Sequence, residues 1–316
     1  MEKIKLGISA CLLGENVRYD GQHKLDRYLR DTLGRYVDFV PVCPEVGCGL
    51  PIPREAMRLV GDPDAPRLMT QKTAVDHTDR MQAWGAERLD ELEQEDLCGY
   101  VFKSRSPSSG MSHVKVYSEQ QGMPRPVGVG IWARMFMERF PLLPVEDEGR
   151  LHDARLRENF IQRIFVTKRW KELLRDAPSL ADLMEFHARH KLLFMAHNQK
   201  GATELGRIVA HAPGRPLEEV LAEYHLKMQQ LTALKSTVKK NVNVLHHLMG
   251  YFKRDISADE KQELLEVIGQ YAREDVPLIV PITLINHYVR KYQQPYLLSQ
   301  HYLNPHPAEL GLRNHV

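Results

Sequence analysis

The sequence lacks any apolar run long enough to cross a bilayer. The longest candidate, Val276–Ile285, is interrupted by Pro281 and falls far short of the roughly 20 residues a spanning helix needs. The N-terminal stretch MEKIKLGISACLLGENVRYDG also lacks an apolar core of signal-peptide length. No membrane partner and a cytoplasmic setting are therefore expected. There is no excess of one charge: 43 Lys and Arg stand against 41 Asp and Glu, for a formal net charge of +2. That balance excludes a strongly cationic nucleic-acid binder, so any nucleic-acid contact must come from a local patch. Neither GxGxxG nor a Walker loop occurs, which argues against a nucleotide cofactor. Cysteine is scarce, with four in 316 residues, all before residue 99. In a reducing compartment such clustering points to metal binding or catalysis rather than disulfides.

What is present begins with Val42–Arg54, VCPEVGCGLPIPR, where Cys43 and Cys48 flank Glu45. Three prolines and two glycines in this segment predict a loop rather than a helix. Around it, residues 3–9, 36–42 and 98–103 have the apolar character of buried strands. Two short extended pieces flank the turn Gly61-Asp62-Pro63-Asp64 within 56–70, and residues 114–117 form a further strand. Helices are expected over roughly 24–34, 75–95 and 128–139. The face Met81, Trp84, Ala86, Leu89 and Leu92 supports the second of these.

This alternation predicts an α/β N-terminal domain over residues 1–145, with a mainly parallel, Rossmann-like sheet. Ligands of such sheets sit at the carboxyl ends of the strands. That rule brings together Cys11 after the first strand, Cys43–Cys48 after the second and Ser106–Ser109 after the third. Beyond a Pro- and acid-rich linker at 141–153 the character changes. Glycine and β-branched runs become scarce, and eleven of the fifteen histidines lie after residue 186. Helices over 154–175, 180–194, 200–211, 216–248, 258–272 and 278–292 predict an all-α domain at 154–316, ending in an irregular tail from Gln294.

Thiolates are soft ligands suited to iron–sulfur clusters or zinc. On the residues alone, Cys11, Cys43 and Cys48 are either three such ligands or buried apolar thiols. Glu45 is either a general acid–base or a loop-capping carboxylate. Ser106, Ser108 and Ser109 either hydrogen-bond a substrate or simply make the turn around Pro107. Arg18 and Arg54 are candidates for holding an anionic or planar substrate.

Three motifs carry a resemblance. ISACLLGENVRYDG, VPVCPEVGCGLPIPR and FKSRSPSSG, in that order, resemble the thiouracil desulfidase family, the uncharacterised-domain family numbered 523. In the second half FMAHNQKGATELGRIV, NVNVLHHLMGYFKR, PLIVPITLINHYVRKY and YLNPHPAELGLRN resemble domain of unknown function 1722. The fused arrangement is similar to bacterial tRNA 4-thiouridine desulfidases. The resemblance implies a [4Fe–4S] cluster held by three cysteines, with one iron open to the thiocarbonyl sulfur, and replacement of that sulfur by water-derived oxygen without net redox change. It implies Cys11 and Cys43 as ligands, Glu45 as acid–base and Ser106 as the assisting serine. The family's third ligand is the Cys of SPSCG. Here that position is Ser109, while Cys48 stands where the family commonly has Gly. Cys48 is therefore the expected third ligand and Cys98 the fallback.

The implied partner is tRNA containing 4-thiouridine, gripped by the helical domain. Candidate phosphate contacts are Lys227, Lys235, Lys239 and Lys240 on one long helical segment, then Lys253 and Arg254, and Arg290 and Lys291 beside Tyr288 and Tyr292. The alternatives are a desulfidase of free thiouracil-type bases and a non-enzymatic, metal- or redox-sensing nucleic-acid-binding protein.

Overall fold

A computed structural model describes residues 3–118, 123–175 and 177–315. The chain divides into two compact units, Met1–Asp153 and Ala154–Val316. The first contains eight strands: β1 (Ile4–Ser9), β2 (Val37–Val42), β3 (Met57–Val60), β4 (Arg67–Thr70), β5 (Tyr100–Phe102), β6 (Val114–Tyr117), β7 (Arg125–Gly128) and β8 (Val145–Asp147). One sheet, in the order β2-β1-β5-β8, is parallel throughout. β1 and β2 are in register from Ile4 opposite Val37 to Ser9 opposite Val42.

The expected parallel sheet is present, but β3, β4 and β6 do not join it. They form a second sheet, β4-β3-β6-β7, with antiparallel outer pairs and a parallel central one. The turn at Gly61–Asp64 is too short for a crossover, so it folds β4 back antiparallel on β3.

Three helices accompany the sheets: α1 (Pro44–Gly47), α2 (Thr78–Gln94) and α3 (Ile131–Arg139). Leu89 and Leu92 of α2 and Trp132 and Phe136 of α3 bury against Tyr100 and Phe102 of β5. On α2, Ala86 is exposed and Gly85 is buried in its place. A side chain at Gly85 would meet the Met135 sulfur at 2.9 Å. The helix expected over 24–34 shrinks to a π-helical turn at Tyr28–Thr32 and a 3-10 turn at Leu33–Arg35. The amides of Lys24 and Asp26 donate instead to the carbonyls of Cys11 and Leu12, both at 2.9 Å, which ties this segment to the loop after β1.

The second unit consists mainly of helices: α4 (Ala154–Arg175), α5 (Leu180–His197), α6 (Gln199–Ala210), α7 (Leu217–Ala233), α8 (Val238–Gly250), α9 (Ala258–Ala272) and α10 (Ile279–Lys291). The single helix expected over 216–248 is two. Leu234 is extended, and the Thr237 side chain accepts from the Lys240 amide as an N-cap, starting α8 afresh. Among the described residues no helix is long and apolar enough to cross a membrane.

Histidines are built into the interior of this unit. Burial holds His187, His197 and His225 down to about 4, and His301 and His306 to about 3. They are neutral when folded but take up protons near pH 6.5 when unfolded, so acid favours unfolding from about 6.5 down to about 4. Urea unfolding of the full chain followed by helical circular dichroism should show the midpoint falling once pH drops below about 6.5, well above the carboxylate range. A midpoint constant from pH 7 to 5 would contradict this placement of the histidines.

Candidate active site

Because β2, β1 and β5 are adjacent and parallel, their carboxyl ends open on one edge. A cavity of about 260 Å³ lies there, lined by Ser9 at the end of β1 with Ala10 and Cys11 after it, Val42 at the end of β2 with Cys43–Glu45 after it, and Lys103–Ser109 after β5. Arg18, Arg54 and Gln71 complete much of its rim. The three loops expected to converge do so.

Cys43 follows β2 and sits at the N-cap of α1, with Pro44 at the first helical position. The expected loop thus contains one helical turn, closed by the Gly47 amide donating to the Cys43 carbonyl at 2.8 Å. Cys11 is buried and lines the same cavity. Burial pushes its thiol up to about 11; Lys103 pulls the other way, and charge on Cys43 adds to the rise. Burial also raises Cys43.

Glu45 is held from two sides. Arg54 Nε donates to Glu45 Oε2 at 2.8 Å, and Arg54 Nη2 pairs with the same oxygen. Ser108 Oγ donates to Glu45 Oε1 at 2.8 Å. Arg54 Nη2 also donates to the Val17 carbonyl at 2.8 Å, so this guanidinium serves the carboxylate and the loop rather than standing free for a substrate. Arg18 lies at the rim, paired with Asp20 at 3.4 Å.

In the serine loop Ser106 Oγ accepts from the amides of Ser108 (3.3 Å) and Ser109 (3.1 Å) and lies 3.0 Å from Ser108 Oγ. Ser106 therefore braces the turn, and Ser108 is the serine that touches Glu45. Ser109 is buried and lines the cavity. The loop is seated on the first turn of α3, where the Ala133 amide donates to the Ser108 carbonyl at 3.2 Å and the Gly130 amide to the Gly110 carbonyl at 2.8 Å. A Cβ at Gly130 would run into the Ser108 carbonyl, so only glycine permits this approach.

Cys48 is not brought into the cavity. It caps the C-terminal end of α1, whose N-terminal end Cys43 caps. Its thiol donates to the Glu45 carbonyl at 3.3 Å, and it packs with Leu50, Met57 and Met81. Cys98 lies before β5, where its amide meets the Lys5 carbonyl near the start of β1, at the opposite edge of the sheet. The fallback ligand is therefore remote from the other two. Among the described residues no three His, Cys, Asp or Glu side chains form a ready-made metal site.

Sequence reasoning missed Lys103 and Glu148. Lys103 Nζ pairs with Glu148, which also accepts from the Ser104 amide and hydroxyl, both at 2.7 Å. Their only sequence signal is the lysine next to the serine motif.

In the helical unit Lys227, Lys239, Lys253, Arg254 and Arg290 are exposed. Lys235 lies between α7 and α8 rather than on a helix, and its carbonyl accepts from Lys240 Nζ at 2.9 Å. Lys291 is paired with Glu260 at 2.5 Å. Tyr288 is buried in the core, with its hydroxyl donating to Glu263 at 3.1 Å, and Tyr292 donates to Glu260 at 2.8 Å. Neither ring is presented for base stacking, because both close the α9–α10 seam.

The site falls within a recognised domain: residues 6–148 match the family described as 2-thiouracil desulfurase, and residues 191–307 match the protein family of unknown function DUF1722. The chain is 30% identical over 161 residues to the uncharacterized protein YbgA of Escherichia coli K12, covering 51% of this chain and 95% of that protein. A solved structure titled [4Fe-4S]-dependent thiouracil desulfidase TudS is 30% identical, with 48% of this chain and 95% of that one covered and a TM-score of 0.39. The chain thus joins a 2-thiouracil desulfurase family domain to a DUF1722 family domain.

The thiol geometry predicts alkylation behaviour in the metal-free protein. With Cys11 pushed up to about 11, the fraction present as thiolate at pH 8 is on the order of one in a thousand, so iodoacetamide should label it slowly and faster with rising pH. Lys103→Met removes a charge that favours the thiolate and should slow labelling at every pH. Mass spectrometry of the labelled peptide reads both; rapid labelling at pH 7 would contradict the burial.

Proposed function

We propose that this protein is a [4Fe–4S]-dependent desulfidase that converts 4-thiouridine in tRNA to uridine, releasing sulfide. The observation that carries the reading is the convergence of Cys11, Cys43 and the clamped Glu45 on one cavity of a 2-thiouracil desulfurase domain. Two thiols fit the cluster as they stand. Cys11 is buried and Cys43 half-buried, they share one cavity, and their ionisation is opposed by desolvation that a bound metal would overcome. Cys48, which packs outside this cavity, is the proposed third ligand, and binding would require its turn to re-form toward Cys43. When bound, the cluster supplies a soft Lewis-acid iron for the thiocarbonyl sulfur.

The rest follows from the chain's own side chains. Arg54 fixes one carboxylate oxygen of Glu45, leaving Oε1 and the Ser108 hydroxyl to handle protons. Glu45 Oε1 takes a proton from the attacking water, and that proton leaves with the sulfide. Water supplies both the oxygen of the product carbonyl and the hydrogens of the released hydrogen sulfide, so no electrons change hands. Ser106 keeps Ser108 aimed at Glu45. The exposed Lys227, Lys239, Lys253, Arg254 and Arg290 of the helical unit support a polyanionic substrate. Grip on the RNA body would offset the few kcal/mol needed to extract a stacked base.

The test is anaerobic reconstitution of the full chain with iron and sulfide, then incubation with 4-thiouridine-containing tRNA, following loss of thiocarbonyl absorbance and sulfide release. Turnover that requires the cluster is expected. Turnover of free thiouracil with none on tRNA would move the assignment to the small-base reaction.

Glu45→Gln should lower kcat by about 10²- to 10⁴-fold with iron content unchanged. Cys11→Ala, Cys43→Ala and Cys48→Ala should each lose the cluster's visible absorbance, and Cys98→Ala should keep it. Full cluster content in Cys48→Ala would remove Cys48 from the ligand set.

A further inference from the structure

A second cavity, of about 600 Å³, adjoins the first and shares Met57, Gln71, Arg105 and Pro107 with it. It opens on the outer face of the β4-β3-β6-β7 sheet. Alternation along β3 and β6 sends Leu59, Val114 and Val116 to the core and leaves Arg58, Lys115 and Tyr117 on the other side. Parallel pairing of Leu59 with Val116 sets Arg58 and Lys115 side by side.

The charge of this cavity is one-sided. Arg58, Arg105, His113 and Lys115 line it, and among the described residues no Asp or Glu does. The first cavity is different, because its carboxylate Glu45 is paired with Arg54 and its Lys103 with Glu148. Arg58 lies over the Tyr117 ring at 5.0 Å, and its buried Nε has no hydrogen-bond partner. Arg105 sits at the junction of the two cavities with φ of +57°, a left-handed conformation that is unfavourable for a side chain and turns the loop sharply before Ser106. It is exposed. Among the described residues Arg58, Arg105 and Lys115 have no carboxylate partner, so they form a track of cations beginning at the mouth of the chemical site.

We propose that this second cavity binds the phosphodiester backbone flanking the thiolated nucleotide, with Arg105, Arg58 and Lys115 meeting successive phosphates while the base occupies the first cavity. The proposal rests on the polynucleotide reading given above and assigns the nearest phosphates to the catalytic unit rather than to the helical one. A free base has no group to place there. A backbone must leave the site by some route, and this one offers cations, an aromatic face and continuity with the chemical cavity.

The experiment uses the reconstituted full chain with Arg58→Gln/Lys115→Gln, and with Lys115→Glu alone as a variant confined to one exposed strand position. Fluorescence anisotropy of a labelled 4-thiouridine-containing RNA gives affinity across salt concentrations. Kinetics on that RNA, on 4-thiouridine monophosphate and on free thiouracil give KM and kcat. The double variant should weaken RNA binding about tenfold, with the log–log salt slope shallower by about 0.7 for each single-strand phosphate no longer neutralised. KM for RNA should rise while kcat and the free-base kinetics stay as in wild type.

RNA binding and KM unchanged in both variants, with wild type active on RNA, would overturn the backbone track alone. An equal rise in KM for the monophosphate and the RNA would overturn the polynucleotide assignment by reducing the cavity to a one-phosphate subsite. Equal losses on free base would mark a structural role and also overturn it. A wild type that acts on free thiouracil but neither binds nor processes RNA would overturn the track together with the tRNA reading.

Discussion

Everything at the site depends on the parallel pairing of β1 with β2 on one side and β5 on the other. Parallel neighbours end at the same edge, so the segments that follow them must share space there. Cys11, the Cys43–Glu45 turn and Ser108 are far apart in sequence and meet because three strands stop together. The close approach of β1 and β5 depends on Gly7, where any side chain would collide with the Tyr100 ring. Tyr100 in turn is packed against Trp132 and Phe136, so α3, which seats the serine loop, is anchored to the strand that delivers it.

Within this frame the carboxylate is the most constrained group. Each oxygen of Glu45 has its own partner, one a guanidinium and one a hydroxyl. The hydroxyl is fixed by a neighbouring serine, and that serine by two backbone amides. Such nested support is what the proposed proton-transfer role asks of the carboxylate, little reorganisation as the reaction proceeds. Lys103 and Glu148 make a second supported pair on the other flank, close enough to Cys11 for the lysine charge to favour its thiolate. On the proposed reading, the paired charges of the first cavity receive an uncharged base and the cations beside it receive the charged backbone.

Much of the architecture was legible from pattern. The strands at residues 3–9, 36–42 and 98–103, the helices of the second half and the three-loop convergence follow from periodicity and the strand-end rule. The split of the strands into two sheets was not legible, because a short strand's sequence does not specify which neighbours it pairs with. The break between α7 and α8 was hidden because Leu234–Thr237 contains neither Gly nor Pro; a threonine cap and a tertiary bond from His197 to the Leu234 carbonyl at 2.6 Å decide it. Tyr288 and Tyr292 had the composition of a stacking surface, yet packing against α9 uses them internally.

The sequence by itself determined which chemistry is available: four thiols before residue 99, one carboxylate between two of them, a serine-rich turn and a near-neutral charge. Those are properties of residue types and local spacing. Only the tertiary structure decided which of them meet. It turned Cys43 into the cavity and packed Cys48 with Leu50, Met57 and Met81, the two residues capping opposite ends of α1. It gave Glu45 to Ser108 rather than to Ser106. It also aligned Arg58 and Lys115, far apart along the chain, on one face of a sheet, because strand register is set by pairing and burial and not by the chain's own order.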